Sequence, residues 1–295
     1  MKIEKWIEKN CKSLEGQTVL VTGSTGVLGV ELCKVLAKLG ANLIFANRNE
    51  KLTAQQIEEL KKDFSGIKID FVKIDMLDVD SVKSACKTLQ SFSIDKVILN
   101  AGAYKMDREK TSLGLDKVFQ INFVSSYFLV KSLLPVLEKS NCPRVVDVGS
   151  IAHKKVRINE NDIDFSNCKK SQKVYGNSKR LLMLSLGELL KNTKIKYAVG
   201  HPGVTPTNIT RNYPKFLRAI IKIPMKIVFT GPKKACLNIV KAIFADCSQF
   251  EWFGPRVADV WGYPKLKPLK TCAQDEAKKC FEIGEKFAIA LMKKE

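Results

Sequence analysis

The chain is predicted to fold as an α/β protein around a doubly wound parallel sheet. Two observations predict it. Apolar runs of four to six residues alternate with amphipathic helical stretches from residue 18 to about residue 203, the pattern of strands buried on both faces between covering helices. And Gly23, Gly26 and Gly29 stand three apart where the first run gives way to the first helix.

Each element follows from its own pattern. TVLVTG (18–23), NLIFANR (42–48), KIDFVKID (68–75), KVILNAG (96–102), RVVDVGS (144–150) and KYAVGHPG (196–203) are short, apolar and rich in β-branched residues, and read as strands. Between them VLGVELCKVLAKLG (27–40), TAQQIEELKKDF (53–64), VDSVKSACKTLQSF (79–92), FQINFVSSYFLVKSLLPVLEK (119–139) and YGNSKRLLMLSLGELLK (175–191) carry apolar residues at helical spacing. No repeat or low-complexity linker divides the chain. One domain over residues 1–295 is expected, with residues 205–232 as a lid within it.

A length of 295 residues and an apolar share of 45% suffice for such a core. The opening MKIEKWIEKNCKSLEG is charged throughout and does not read as an export signal. No uninterrupted apolar run reaches membrane-spanning length. The nine cysteines are scattered and form no C-x-x-C pair, which suggests reduced thiols and a cytoplasmic protein. With His153 and His201 the only histidines, no metal site is expected. The net charge of +20 favours anionic partners or reflects a lysine-rich solvated surface, and composition does not separate the two. No recognised nucleic-acid module accompanies the basic residues, so no nucleic-acid partner is expected.

Doubly wound sheets bind ligands at the carboxyl ends of their strands. There the glycine turn is the first candidate. Gly23 permits the tight turn, Gly26 lets a phosphate approach and Gly29 lets the helix pack closely. Val27 and Leu28 open the helix, whose first-turn N–H groups can cradle a diphosphate, with Ser24 and Thr25 adding hydroxyl donors. At the end of the second strand an acidic residue would suit the ribose of NAD, but FANRNE places Asn47 and Arg48 there. A guanidinium pairs with a 2′-phosphate and stacks on adenine, so NADP(H) is the preferred cofactor and NAD(H) the alternative. Glu50, two residues on, works against this preference. Asp75, with Met76 beside it, could accept from the adenine amino group, and Asn100, Ala101 and Gly102 offer a flat surface to the adenosine ribose.

Tyr175 and Lys179 lie four apart on one helical face. A phenol of ordinary pKa about 10 can exchange protons near neutrality only if something favours the phenolate. An adjacent ammonium and the positive end of the helix would both do so. Ser150, ending the fifth strand, could polarise the same carbonyl, and otherwise caps a turn. Asn122 stands mid-helix, where asparagine has poor propensity. It could hold a water that relays protons to Lys179, and otherwise marks a kink.

This set of residues resembles the short-chain dehydrogenase/reductase family. TGSTGVLG, the NAG of residues 100–102, Asn122, Ser150, YGNSK (175–179) and HPGVTPT (201–207) carry the resemblance, from about residue 15 to the end of the chain. It implies a Rossmann fold and an enzyme acting on CH–OH groups. Tyr175 would be the general acid/base and Lys179 would lower its pKa while binding the nicotinamide ribose. Ser150 would orient the carbonyl and Asn122 support the proton relay. Pro202, Gly203 and Val204 would line the nicotinamide, with Thr205 or Thr207 near the cofactor amide or phosphates. Three departures stand out. The middle glycine is one place early, with Val27 in its stead, a spacing usual in the extended branch of sugar-nucleotide epimerases. Gly149 stands where a second serine is frequent. And Ser150 and Tyr175 are 25 positions apart, longer than usual. The long insert, with S-x-A-H at its start and Asp162–Phe165 before the tyrosine, resembles the retinol dehydrogenase-like and WW-domain oxidoreductase-like branch. So does EWFGPRVADVWGYPKLKPL, as an extended piece after the last helix. That branch implies NADP(H) and a lipophilic carbonyl or alcohol as small-molecule substrate. An extended-type epimerase or dehydratase with tightly held NAD, and a cofactor-binding scaffold without turnover, are the alternatives.

Between Glu188 and Asp246 there is no acidic residue and there are eleven basic ones. Phe216, Leu217, Ile220, Ile221, Met225 and Phe229 read as an apolar lid over the substrate. Alternatively segment 211–234 lies on a membrane surface with its lysines on anionic headgroups, or simply closes the core. The family resemblance further implies a homodimer or homotetramer formed through the long helices at about 111–139 and 174–191.

Overall fold

The computed structural model describes residues 2–107, 109–204 and 231–293. Six predicted strands are present as β1 (Thr18–Thr22), β2 (Asn42–Asn47), β3 (Ile69–Lys73), β4 (Lys96–Leu99), β5 (Arg144–Val148) and β6 (Lys196–Gly200). Two more, β7 (Glu251–Val257) and β8 (Trp261–Pro268), complete one sheet of order β3-β2-β1-β4-β5-β6-β7-β8. The first seven strands run parallel and β8 returns antiparallel to β7. The expected doubly wound parallel sheet is present, with one antiparallel hairpin at its edge. Pro255 and Pro264 face each other across it, away from the sheet's centre, where proline is tolerated.

The helices are α1 (Ile3–Asn10), α2 (Val27–Lys38), α3 (Glu50–Asp63), α4 (Val79–Leu89), α5 (Lys117–Leu137), α6 (Ser171–Leu190), α7 (Pro232–Phe244) and α8 (Gln274–Lys293). Alternate strand residues feed two cores. Leu20, Val97, Leu99 and Val145 pack under α4, α5, α6 and α8. Val19, Val21, Ile98 and Val146 pack under α1, α2 and α7. Helix α5 is long and apolar enough to cross a membrane by length and composition, yet 72% of its most apolar window is buried inside the fold. Its apolarity is that of a core helix.

Helix α8 changes the expected surface. It lies across α5 and α6, with Glu285 taking hydrogen bonds from Tyr127 and Lys131, and the Cys280 carbonyl one from Ser185. Part of the surface of both helices is thus covered by the chain itself. The extended hairpin also precedes the last helix rather than following it.

The strand order reverses between β2-β1 and β1-β4, so a crevice opens beyond the ends of β1 and β4, the place where such sheets take ligands. Residues 205–230 lie outside the described residues. With them lie Thr205, Thr207, the apolar residues of the expected lid and most of segment 211–234.

Candidate active site

The glycine turn sits at that crevice. Gly23 has φ +65°, and a Cβ on it would stand 2.9 Å from the Ala101 Cα. Only glycine combines that backbone with so close an approach of β4. A Cβ on Gly29 would stand 2.5 Å from the Gly23 carbonyl oxygen, so Gly29 packs the helix against the turn itself. Gly26 is the N-cap of α2, and no side chain caps the helix there. Its first-turn N–H groups are therefore not taken by a capping side chain, and Val27 at their head is 52% exposed. Thr25 is half-buried at the same mouth, and Leu28 packs partly into the core.

Ser24 corrects the expectation made for it. It is fully buried, its hydroxyl donating to Gln56 Oε1 at 2.7 Å and accepting from Asn47 Nδ2 at 2.8 Å. Its N–H donates to Asn47 Oδ1 at 2.9 Å. The residue after Gly23 turns inward and ties the loop to β2 and α3. Met76 places its side chain in the core, and its carbonyl accepts from Ser125 Oγ at 2.7 Å.

At the end of β2, Arg48 is exposed and its guanidinium lies 3.7 Å from Asp75 Oδ2. The two residues expected at the adenosine end thus meet each other. Such an exposed pair contributes about 0–1 kcal/mol, little enough to be given up to a phosphate. Glu50 is drawn aside by Lys73 at 3.0 Å. Asn100 donates to the carbonyls of Thr22 and Gly23 at 3.1 and 2.7 Å, and the Ala101 N–H donates to Thr22 Oγ1 at 2.9 Å. The NAG segment therefore stitches β4 to the glycine turn.

Two of the residues expected to act in the chemistry, Asn122 and Lys179, meet beside Gly102. A Cβ there would stand 3.1 Å from Asn122 Oδ1 and 3.7 Å from Lys179 Nζ, so glycine leaves room where the amide and the ammonium converge. Asn122 lies in a π-helical turn, Gln120–Val124, within α5, a distortion often found at functional sites. Its amide clamps Ala103, accepting from the N–H at 2.8 Å and donating to the carbonyl at 2.8 Å. The second amide hydrogen reaches Ser178 Oγ at 3.0 Å, and Ser178 donates to the Tyr175 carbonyl at 2.9 Å. Asn122 thus joins the loop after β4 to the helix that carries Tyr175 and Lys179.

Helix α6 starts at Ser171, four residues before Tyr175. The phenol therefore sits beyond the first turn, where the helix dipole has faded. Lys179 is left as the positive group expected to act on it. Tyr104, one place after Ala103, meets the Tyr175 ring edge-on at 5.1 Å. No sequence signal marked Tyr104, since an aromatic in a loop has no periodicity.

Ser150 is half-buried at the end of β5, and its Oγ accepts from the Ala152 N–H at 3.3 Å, capping a 3₁₀ segment Ile151–Lys155. A Cβ on Gly176 would stand 2.5 Å from the Ala152 carbonyl, so this glycine lets α6 press Tyr175 toward the serine segment. A Cβ on Gly149 would lie 2.6 Å from Val199 Cγ1, which explains why a second serine does not stand there. Both histidines hold this backbone. His153 Nδ1 is 2.7 Å from the Ser150 carbonyl, and His201 Nδ1 is 3.3 Å from that of Gly149. Burial pushes both imidazoles down to about 4, so they stay neutral near pH 7. Trp252 lies between them, stacked on His201 and edge-on to His153. Pro202, Gly203 and Val204 follow at the end of β6, and Gly203, at φ +87°, packs against Val260 and Pro255 of the hairpin. In the long insert, Asp164 accepts from the Asp116 N–H at 2.8 Å and from Lys110 at 3.1 Å, folding the insert onto the start of α5.

The short-chain dehydrogenase family model matches residues 17–217, which carry every one of the expected catalytic positions. The chain belongs to the short-chain dehydrogenase/reductase family. It is an oxidoreductase acting on CH–OH groups, in the retinol dehydrogenase-like branch. Relatives include human polyprenol dehydrogenase, 27% identical over 240 residues, covering 77% of this chain and 72% of that one. Mouse retinol dehydrogenase 14 is 28% identical over 81% of this chain and 80% of its own. An uncharacterised oxidoreductase of Schizosaccharomyces pombe is 30% identical over 81% and 75%. Among solved structures, an uncharacterised protein from Mycobacterium paratuberculosis shares the fold with TM-score 0.72 at 22% identity, over 94% of this chain and 95% of that one. The Pseudomonas aeruginosa RhlG/NADP complex shares it with TM-score 0.59 at 25% identity, over 79% and 90%. The dehydrogenase fold implies a nicotinamide dinucleotide, and the glycine turn, the uncapped α2 terminus and the space at Gly102 fit one.

Proposed function

We propose that this dehydrogenase uses NADP(H) to interconvert a lipophilic carbonyl and its alcohol. The observation that carries the reading is the convergence at Gly102 of Asn122, from α5, and Lys179, from the same helix as Tyr175, at the rim that begins with Gly23. The α2 N–H groups with Thr25 and Gly26 would hold the diphosphate. Arg48 would turn from Asp75 to the 2′-phosphate, with Asp75 toward the adenine. Asn100, Ala101 and Gly102 would face the adenosine ribose, Lys179 the nicotinamide ribose, and Pro202 to Val204 the nicotinamide. A bound nicotinamide would supply hydride exchange at the substrate carbon. Tyr175 Oη gives the proton to the carbonyl oxygen, or takes it from the alcohol. Ser150 Oγ holds that oxygen in place and Lys179 favours the phenolate. Polyprenol and retinol dehydrogenases among the relatives support a lipophilic substrate. We further place the protein in the cytoplasm, with segment 211–234 as its contact with a membrane surface.

A panel of aldehydes, ketones, retinoids and steroids, followed at the NADPH absorbance, tests the reaction class. Turnover of none of them would contradict it. Cofactor choice is tested by Arg48→Glu. NADPH affinity is expected to fall about 10- to 100-fold and NADH affinity less than about 3-fold, measured by fluorescence titration. Equal changes for both would remove Arg48 from the site.

A further inference from the structure

Behind Lys179 lies a carboxylate that the proposed mechanism does not use. Asp147 stands on β5, on the face that carries Val145, toward α5 and α6. Its side chain is fully buried; the Val148 N–H approaches it, yet neither oxygen has a partner in good hydrogen-bond geometry among the described residues. Its near opposite charge is Lys179 Nζ, 4.0 Å from Oδ1, a contact of charges rather than a hydrogen bond. A buried carboxylate left this bare is costly, and a structural role would ordinarily supply donors.

The titratable groups around it are few. From α6 comes Lys179. From β6 comes Tyr197, whose hydroxyl is spent on the Met183 carbonyl at 3.2 Å, with Cys247 beyond it. From β4 the residue in register is the apolar Leu99. On β5 itself, Arg144 lies at the far end, paired with Asp246 at 2.5 Å. Lys179 is thus the group through which Asp147 can act.

We infer that Asp147 is a positioning counter-charge which, through Lys179, sets the pH at which Tyr175 exchanges its proton. The inference rests on the reading of Tyr175 as the acid/base. An ionised Asp147 holds the ammonium and offsets part of its field, so the phenolate is less favoured than beside a lone lysine. A protonated Asp147 leaves that field whole. Burial pushes the Asp147 carboxyl up to about 6, with Lys179 pulling the other way.

The test is the pH profile of alcohol oxidation in Asp147→Asn, which keeps the shape and removes the charge. The rising limb is expected to move about one pH unit lower, the scale of one charge acting across several ångströms at intermediate dielectric. Asp147→Ser, which relieves rather than adds crowding, makes the same comparison if the asparagine variant does not fold. A limb that stays in place or moves upward, with Tyr175→Phe inactive, overturns the role of Asp147 and leaves Tyr175 standing. Retained turnover in Tyr175→Phe overturns both.

Discussion

Replacing Tyr175 by phenylalanine is expected to lower turnover about 1,000-fold, within the range for removing a positioned acid/base. NADPH binding should change less than about 2-fold, because the contacts proposed for its diphosphate and 2′-phosphate do not involve the phenol. The ring remains, so its edge-on contact with Tyr104 and the packing of α6 remain. What disappears is the hydroxyl proposed to give or take the proton of the substrate oxygen. Ser150 does not replace it, since an alkyl hydroxyl is a far weaker acid than a phenol and Ser150 is proposed only to orient the oxygen. Steady-state rates and a cofactor titration on the same preparation separate the two effects. Near-normal turnover would end the mechanism.

The second large effect is expected away from the chemistry. Arg180→Met should lower stability by about 3 kcal/mol, the cost of leaving a part-buried Glu276 without its partner and backbone carbonyls without a charged donor. For a chain of this size that is a fall in Tm of roughly 10 °C. Arg180 is fully buried beside Lys179 in the sequence, and it binds three elements at once. It donates to both carboxylate oxygens of Glu276 on α8, to the Thr271 carbonyl and hydroxyl, and to the His153 carbonyl at 3.2 Å. Methionine fills much of the volume but leaves Glu276 and these carbonyls bare. Since His153 also holds the Ser150 carbonyl, activity should fall along with stability. Calorimetric melting checks the expectation, and a fall of less than about 3 °C would contradict the structural role given to Arg180.

What could be read in advance follows from how local each signal is. Gly23 and Gly29 were legible because a positive φ and a close approach both demand glycine at a strand-to-helix turn. Asn122 was legible as a misfit in an apolar helix, and the π turn is the physical form of that misfit. Ser24 was not legible, because its inward orientation depends on Gln56, thirty-two residues away. Asp147 went unread because RVVDVGS presents itself as one apolar strand, and only folding places its carboxylate behind Lys179. Helix α1 hides in a charged segment, with Trp6 and Ile7 its buried anchors and Tyr263 of the hairpin stacked on Trp6. The hairpin carries Pro255, Pro264 and Gly254 within its strands, residues that argue against strand until the partner is known. Nothing local announced that α8 would cover α5 and α6.

The most direct test of the central claim is a crystal structure of the protein with NADP⁺ bound. The account predicts the diphosphate on the first turn of α2, the 2′-phosphate at Arg48, and the nicotinamide lying against Tyr175 and Lys179 with Ser150 across the substrate space. A dinucleotide bound elsewhere, or one whose nicotinamide points away from the Tyr175 hydroxyl, would contradict it.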